Sequence, residues 1–438
     1  MAGLARRLWL CIAALLAVLA AAPAHAVPNV TPSERVIAAV VVREGPTAQS
    51  EALARLRPGE TLVLQGEVSG WYRVALPDGR TGYVSKGWTD IVPESQVAAL
   101  PTWRVHFIDV GTGLATFVEG PDFTLVFDGG SNDDLARGAG NRLLAYIRRV
   151  RPDLQVINHL ILSHPHRDHV ELLPDLFDAY QVLNVWESGR LYDICGYRAF
   201  LQKVSQEPGL VYHDAHGPAG DHVAALPAKE CYGAPAAALN LHLPHGSAIT
   251  RGLRVALGTQ ASMTFLTADA GPYDDPNENS VVARLNLGNH RLLFMGDAEA
   301  SPNREPPSVP PRPDFAEGML LACCAADIRA DLLVAGHHGS MSSSRAAFVE
   351  AVGANTFVIS SGPNPYGKNK ITLPDPQVVN EFHDRGVVWR TDFDDPHCRT
   401  DIAKIGRDND NKPGGCDNIL VRVPVTGSLL VNYERIHD

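Results

Sequence analysis

Between residues 35 and 94 the chain is a succession of short apolar runs, 36–42, 61–68, 71–75 and 81–84, parted by Pro58-Gly59, Ser69-Gly70 and Asp78-Gly79. Runs of this length separated by turn pairs predict a small all-β barrel. Residues 93–101 form a polar, proline-bounded linker, and beyond it the pattern changes. Apolar stretches at 105–108, 124–127 and 159–162 read as strands, whereas Leu143, Leu144, Ile147 and Val150 recur at helical spacing over 141–151. Strands alternating with helices predict a layered α/β body, here running over 102–438. Its one interruption, 301–313, carries Pro302, Pro306, Pro307, Pro310, Pro311 and Pro313 and predicts an irregular surface loop.

The first 26 residues follow another pattern: Arg6-Arg7, an apolar run over 8–19, then small residues ending in Ala24-His25-Ala26. This charged, apolar and cleavable layout predicts a secretory signal peptide, the apolar run being short for a membrane anchor. No later stretch has the length of a bilayer crossing, so the mature chain is expected to be periplasmic or secreted, without a membrane span. Cys11 would leave with the signal. Cys195, Cys231, Cys323, Cys324, Cys398 and Cys416 remain, an even number suited to disulfides in an oxidising compartment. Cys398 and Cys416 enclose a polar segment with Asp408-Asn409-Asp410-Asn411 and are expected to pair, and Cys195 with Cys231 is a second expected bridge.

Composition adds little beyond one exclusion. With 38 basic against 49 acidic residues and a net charge of −11, the chain lacks the broad basic footprint of a protein that holds nucleic acid by many phosphate contacts. A metal site or a local groove remains compatible with phosphate. The 17 histidines are informative only through their spacing.

That spacing is concentrated after the strand at 159–162, in Ser163-His164-Pro165-His166-Arg167-Asp168-His169. Three imidazoles and a carboxylate at the end of a strand are a ligand set for Zn²⁺ and similar ions. The motif is H-x-H-x-D-H, and with it the chain resembles the metallo-β-lactamase superfamily, in particular the hydrolase domain of ComEC-like competence proteins. The resemblance is carried in order by His106-Phe107-Ile108-Asp109-Val110-Gly111, Val126-Phe127-Asp128-Gly129-Gly130, the histidine motif, Asn277-Glu278-Asn279-Ser280, Gly296-Asp297-Ala298-Glu299 and Gly336-His337-His338-Gly339-Ser340. Upstream, Val42-Arg43-Glu44-Gly45-Pro46, Gly70-Trp71-Tyr72-Arg73-Val74 and Gly79-Arg80-Thr81-Gly82-Tyr83-Val84 resemble a bacterial SH3-like domain.

The resemblances imply an αββα metallo-β-lactamase sandwich preceded by a small all-β SH3-like barrel. They imply two divalent metal ions, Zn²⁺ or Mn²⁺, with His164 and His166 on one and Asp168 and His169 on the other. Asp297 would bridge them, and Asp128 would orient a ligating histidine. His338 is expected as the last ligand and His337 as the group facing the substrate's oxyanion; Asp168 would also help to hold the attacking water. A water shared by two cations attacks as hydroxide, so no serine or cysteine nucleophile is required. Ser340, Ser342, Ser343 and Ser344 are expected to cap loops.

The expected activity is hydrolysis of a phosphodiester or phosphomonoester, on nucleic acid or cell-wall phosphate esters, with cell-wall peptide as a partner of the SH3-like domain. Lactone or β-lactam hydrolysis is the alternative among enzymes. A catalytically decayed wall-binding protein is another, motivated by departures from the family pattern. Glu171-Leu172 stands where two glycines are usual, Leu114 where a polar residue closes the opening motif, and Leu373 where a late histidine is usual. The family's third-motif histidine has no clear counterpart, since His213, His216, His222, His242 and His245 all fall in the interval and each is expected at the surface.

Overall fold

The computed structural model describes residues 28–433 apart from 34, 37–38, 58–59, 77–78, 93–100, 133–137, 217–221, 363–364, 366–369, 393–417 and 426. The expected signal peptide and the expected Cys398–Cys416 bridge lie outside the described residues. Among the described residues no helix is long and apolar enough to cross a membrane. Cys195 is bonded to Cys231, and Cys323 to its neighbour Cys324.

The N-terminal barrel is one antiparallel sheet in the order Ala52–Leu56, Val40–Arg43, Thr81–Ser85, Trp71–Ala75, Leu62–Val68, Asn29–Pro32, Thr89–Val92. Alternation turns Val42, Leu62, Val74 and Val84 inward onto a small core that also takes Val30. Val30 lies ahead of the boundary at 35 expected from sequence, because Asn29–Pro32 pairs with both Leu62–Val68 and Thr89–Val92. A strand so short, with a proline and no clear alternation, has little periodic signature.

The body holds two facing sheets. The first runs Val211–His213, Asn184–Glu187, His159–Leu162, Thr124–Gly129, Ala115–Glu119, Pro101–Phe107, Ile419–Pro424, Leu430–Tyr433. The second runs Arg254–Gly258, Ala261–Thr267, Val282–Leu287, His290–Phe294, Leu332–Val334, Thr356–Ile359, Val387–Arg390. Strand alternation divides the side chains between two cores. Val118, Leu125, Phe127 and Ile161 of the first sheet meet Phe265, Leu285 and Phe294 of the second, with the Phe127 and Phe294 rings 4.8 Å apart. Ala115, Phe117, Val126, Leu160 and Leu162 point the other way, onto the helices Arg142–Val150 and Cys195–Gln206. Ala316–Cys324, Ala346–Val352 and Pro376–His383 cover the outer face of the second sheet. The architecture is therefore αββα.

Thr124–Gly129 is parallel to His159–Leu162, and His290–Phe294 to Leu332–Val334. The loops leaving these strands carry the histidine motif, Asp297 and the Gly336–Gly339 turn, which meet at one edge of the sandwich. Carboxyl ends of parallel strands are where such sheets gather polar groups. The proline-rich stretch 301–313 has no helix or strand, as expected. It is tied from beneath by Arg345, whose guanidinium is fully buried and donates to the carbonyls of Asn303, Glu305 and Pro306 and to the Glu305 carboxylate.

Candidate metal centre

Thr124–Gly129 ends in a bulge at Asp128, which adopts the left-handed φ of 56°. The bulge aims a fully buried carboxylate at the histidine turn. Asp128 Oδ1 accepts the Ser163 amide at 2.6 Å, and Oδ2 accepts the Ser163 hydroxyl at 2.7 Å and faces His169 Nδ1 at 2.7 Å. His169 thus donates from Nδ1 and presents Nε2 to the site. The turn itself is packed against glycine: a Cβ on Gly130 would come within 2.0 Å of the Asp168 and His169 backbone, so only glycine fits there.

On the opposite sheet Asp297 follows His290–Phe294, its amide held by Ser280 Oγ at 3.0 Å. Its two oxygens face two groups of side chains. Oδ1 is 3.1 Å from His169 Nε2 and 3.5 Å from His338 Nε2, and Asp168 Oδ2 is 3.5 Å from that same His338 nitrogen. Oδ2 is 3.7 Å from His164 Nε2, which lies 3.0 Å from His166 Nδ1. The ligand atoms of Asp168, His169, Asp297 and His338 fall within 4.8 Å of one another, as do those of His164, His166 and Asp297. All seven candidate residues named from sequence, with His337, are brought to this edge.

The chemistry of the donors fits divalent cations. Asp297 Oδ1 is buried and accepts no hydrogen bond among the described residues, although two imidazole nitrogens stand beside it. His169 Nε2 and His338 Nε2 are 3.1 Å apart, with the outer nitrogen of each already spent, on Asp128 and on the Ser360 carbonyl at 2.7 Å. Nitrogens arranged this way converge their lone pairs on one point. Charge follows suit. Burial pushes Asp297 and Asp168 up, but the imidazoles around them outweigh it and hold both carboxyls below their ordinary range. Burial and the neighbouring His169 push His164 well down, whereas at His169 burial is outweighed by Asp297 and Asp128, which push it up.

His337 and His338 both adopt left-handed backbone, φ 46° and 53°, between Gly336 and Gly339. Such φ values cost of order 1–3 kcal/mol at each non-glycine residue and persist where packing enforces them. The two rings diverge. His338 turns into the Asp168, His169 and Asp297 group, whereas His337 Nδ1 lies 2.8 Å from Glu299 Oε1 and from Ser342 Oγ, with Nε2 3.9 Å from Asp297 Oδ2. Burial pulls the His337 imidazole down, but Asp297 and Glu299 push it up to about 9.

Asn132, Ser163 and Glu299 help to position the site without a role expected from the sequence, and Ser342 with only that of a loop cap. Asn132 Nδ2 donates to Asp168 Oδ2 at 3.0 Å, Ser163 links Asp128 to the turn, and Glu299 and Ser342 hold His337. Ser342 is therefore more than a loop cap; Ser343 does cap, donating to the Gly336 carbonyl at 2.7 Å. The departures from the family pattern have structural employment. Leu114 is buried and its amide donates to the Asp168 carbonyl at 3.0 Å, Glu171 accepts from the Tyr232 hydroxyl at 2.6 Å, and Leu373 is buried with its carbonyl accepting from Ser361 Oγ at 3.0 Å. Among the interval histidines the surface expectation fails twice. His213 is buried against the Trp186 ring at 3.7 Å, and the His245 side chain has no exposure.

The metallo-beta-lactamase superfamily model matches residues 108–362, and the bacterial SH3 domain model matches residues 38–90. A curated relative, Recombination protein 2 of Haemophilus influenzae, is 26% identical over 284 residues, 65% of this chain and 27% of its own length. The chain thus spans about a quarter of that relative. Among solved structures, the metallo-beta-lactamase fold protein YhfI from Bacillus subtilis is 13% identical, covering 66% of this chain and 97% of that one, with a TM-score of 0.37. The metallo hydrolase Igni18 from Ignicoccus hospitalis is 10% identical over 66% of this chain and 95% of its own, with a TM-score of 0.36.

Proposed function

We propose, from the premise that this chain belongs to the metallo-beta-lactamase superfamily, that it is a metal-dependent hydrolase of phosphodiesters or phosphomonoesters. The observation that carries the reading is Asp297, a single buried carboxylate whose two oxygens face two separate imidazole groups. His164 and His166 would hold one cation, Asp168, His169 and His338 the other, and Asp297 both. When bound, the cations would lower the pKa of an attacking water and neutralise charge on the electrophile. The remaining work belongs to the chain. Asn132 donates to the Asp168 carboxylate and holds its orientation, in which it would help to hold the attacking water. Asp128 fixes the His169 tautomer. His337, one-fifth exposed and oriented by Glu299, is the donor placed to meet a developing oxyanion.

Two observations favour phosphate esters. The relative's name refers to recombination, a process on nucleic acid. The Gly336–Ser340 turn resembles the late motif of competence-type hydrolases. An SH3 domain in the same chain makes cell-wall peptide its expected partner and wall phosphate polymers the second substrate class. The N-terminal segment and the disulfides support a periplasmic or secreted location. The position of Leu114, Glu171 and Leu373, each holding backbone or packing in place, speaks against decay.

The test is elemental analysis of purified protein followed by assays on bis-p-nitrophenyl phosphate, p-nitrophenyl phosphate, a lactone and a β-lactam. Turnover of a phosphate ester that is abolished by chelator and by Asp297→Asn is expected. Turnover of the lactone or β-lactam alone would replace the substrate class. Neither bound metal nor turnover on adding Zn²⁺ or Mn²⁺ would end the enzyme reading.

A further inference from the structure

A second group of imidazoles shares no residue with the Asp297 centre. The strand Val211–His213, at the edge of the first sheet, runs out into Asp214, which is buried. Asp214 Oδ2 lies 2.7 Å from His222 Nδ1 and 3.2 Å from His216 Nδ1, and Oδ1 lies 3.1 Å from His245 Nε2. The three rings arrive from different places: the turn after Asp214, the first residue of the strand His222–Leu226, and the segment after Leu239–Leu243, where His245 bridges Tyr212. The ligand atoms of Asp214, His222 and His245 lie within 4.8 Å of one another.

Hydrogen bonding to the carboxylate engages one nitrogen of each ring. The His245 side chain has no exposure, yet its Nδ1 has no hydrogen-bond partner among the described residues. A buried polar atom left without a partner is destabilising. The His222 and His245 rings are stacked, 3.7 Å between centroids and 27° between planes. Imidazoles with a carboxylate are the donor set of a divalent transition cation. The group also has access and room. Asp214, His216 and His222 line a cavity of ≈250 Å³ with Leu191 and Tyr212, and at Gly189, φ +84°, a Cβ would stand 2.5 Å from His216 Nδ1. Glycine there lets the His216 ring close over the cavity.

We propose that Asp214, His222 and His245 bind a divalent cation of the zinc class, with His216 completing the set from the solvent side. Four donors from three chain segments close the coordination shell, the mark of a structural rather than a catalytic zinc site. The cation pins the excursion that contains His222–Leu226 and Leu239–Leu243 to the edge strand of the first sheet.

The experiment is equilibrium dialysis of full-length protein against Zn²⁺ alone, with folding checked by circular dichroism. Asp297→Ala removes the carboxylate common to both clusters of the principal centre. That variant is expected to retain about one Zn²⁺ per chain, and adding His222→Ala is expected to remove it. Equal zinc in the two variants, or none in the first, overturns the site. If Asp297→Ala does not fold, His222→Gln in the otherwise unaltered chain decides: about one equivalent less than the parent is expected, and equal content overturns the site. Loss of phosphate-ester turnover in Asp297→Ala bears on the principal centre alone, so the two readings fail separately.

Discussion

His337 and His338 are sequence neighbours in the same unusual backbone conformation, yet their rings face different chemistry. His338→Ala removes a donor from the Asp168, His169 and Asp297 group and is expected to lower metal content together with rate. His337→Ala leaves every proposed ligand in place, so both metals should remain while kcat falls on the order of 10²-fold or more. Elemental analysis and steady-state kinetics on the two variants separate the roles, and the opposite pattern reverses them. A second residue-scale consequence concerns acid. His159 is nearly buried at the start of its strand and accepts the Trp186 indole N–H at 3.2 Å. Burial, aided by His213, pulls its imidazole down to about 4. The unfolded chain therefore takes up a proton near the ordinary histidine value that the folded chain refuses. Stability is full above about pH 6.5 and falls as pH drops from there to about 4, by up to about 3 kcal/mol. His159→Gln keeps an acceptor for the indole but does not titrate. Its urea midpoint should change less than the parent's over that window, and an unchanged slope refutes the assignment.

At the scale of elements, the helix Arg142–Val150 lies one residue inside the expected 141–151 at each end, with Asn141 as its N-cap. That residue does more than cap. Its Oδ1 accepts the Leu144 amide at 3.0 Å, while Nδ2 donates to the Leu172 carbonyl at 2.9 Å and to Asp175 Oδ2 at 3.0 Å, all buried. Asn141→Ala loses a cap and strands two acceptors, so a loss of about 2–4 kcal/mol is expected in equilibrium unfolding. Strands with strong alternation or a dense apolar run were legible: Trp71–Ala75 and His159–Leu162 match their expected bounds residue for residue. Asn29–Pro32 and the pair His222–Leu226 with Leu239–Leu243 were not, because the first is held by pairing on both sides and the second by packing on the helix Cys195–Gln206. The same division runs through the centre. Residues spaced within one motif could be read in order along the chain, whereas Asn132, Glu299 and the Asp214 group act through contacts that fold brings together.

On the scale of the whole molecule, barrel and body each close a core of their own, and Arg57 of the barrel forms an ion pair with Asp153 of the body. Asp153 is half exposed, and such a pair contributes about 1 kcal/mol or less. A chain starting at residue 101 is therefore expected to keep its kcat on a small phosphate ester within about twofold. Retention on cell-wall material, assayed by co-sedimentation, should be lost with the barrel; a large fall in kcat would instead make the barrel part of the site. The proline-rich stretch 301–313 carries a different consequence. Its exposed, irregular sequence advertises a cleavage point, but a protease must draw several residues into an extended form before it can cut. Arg345 holds Asn303, Glu305 and Pro306 of this loop from within the protein, and drawing them out would break those bonds. Limited trypsin treatment should therefore leave the bond after Arg304 intact until the body itself unfolds, and Arg345→Ala should turn that bond into the first site of attack.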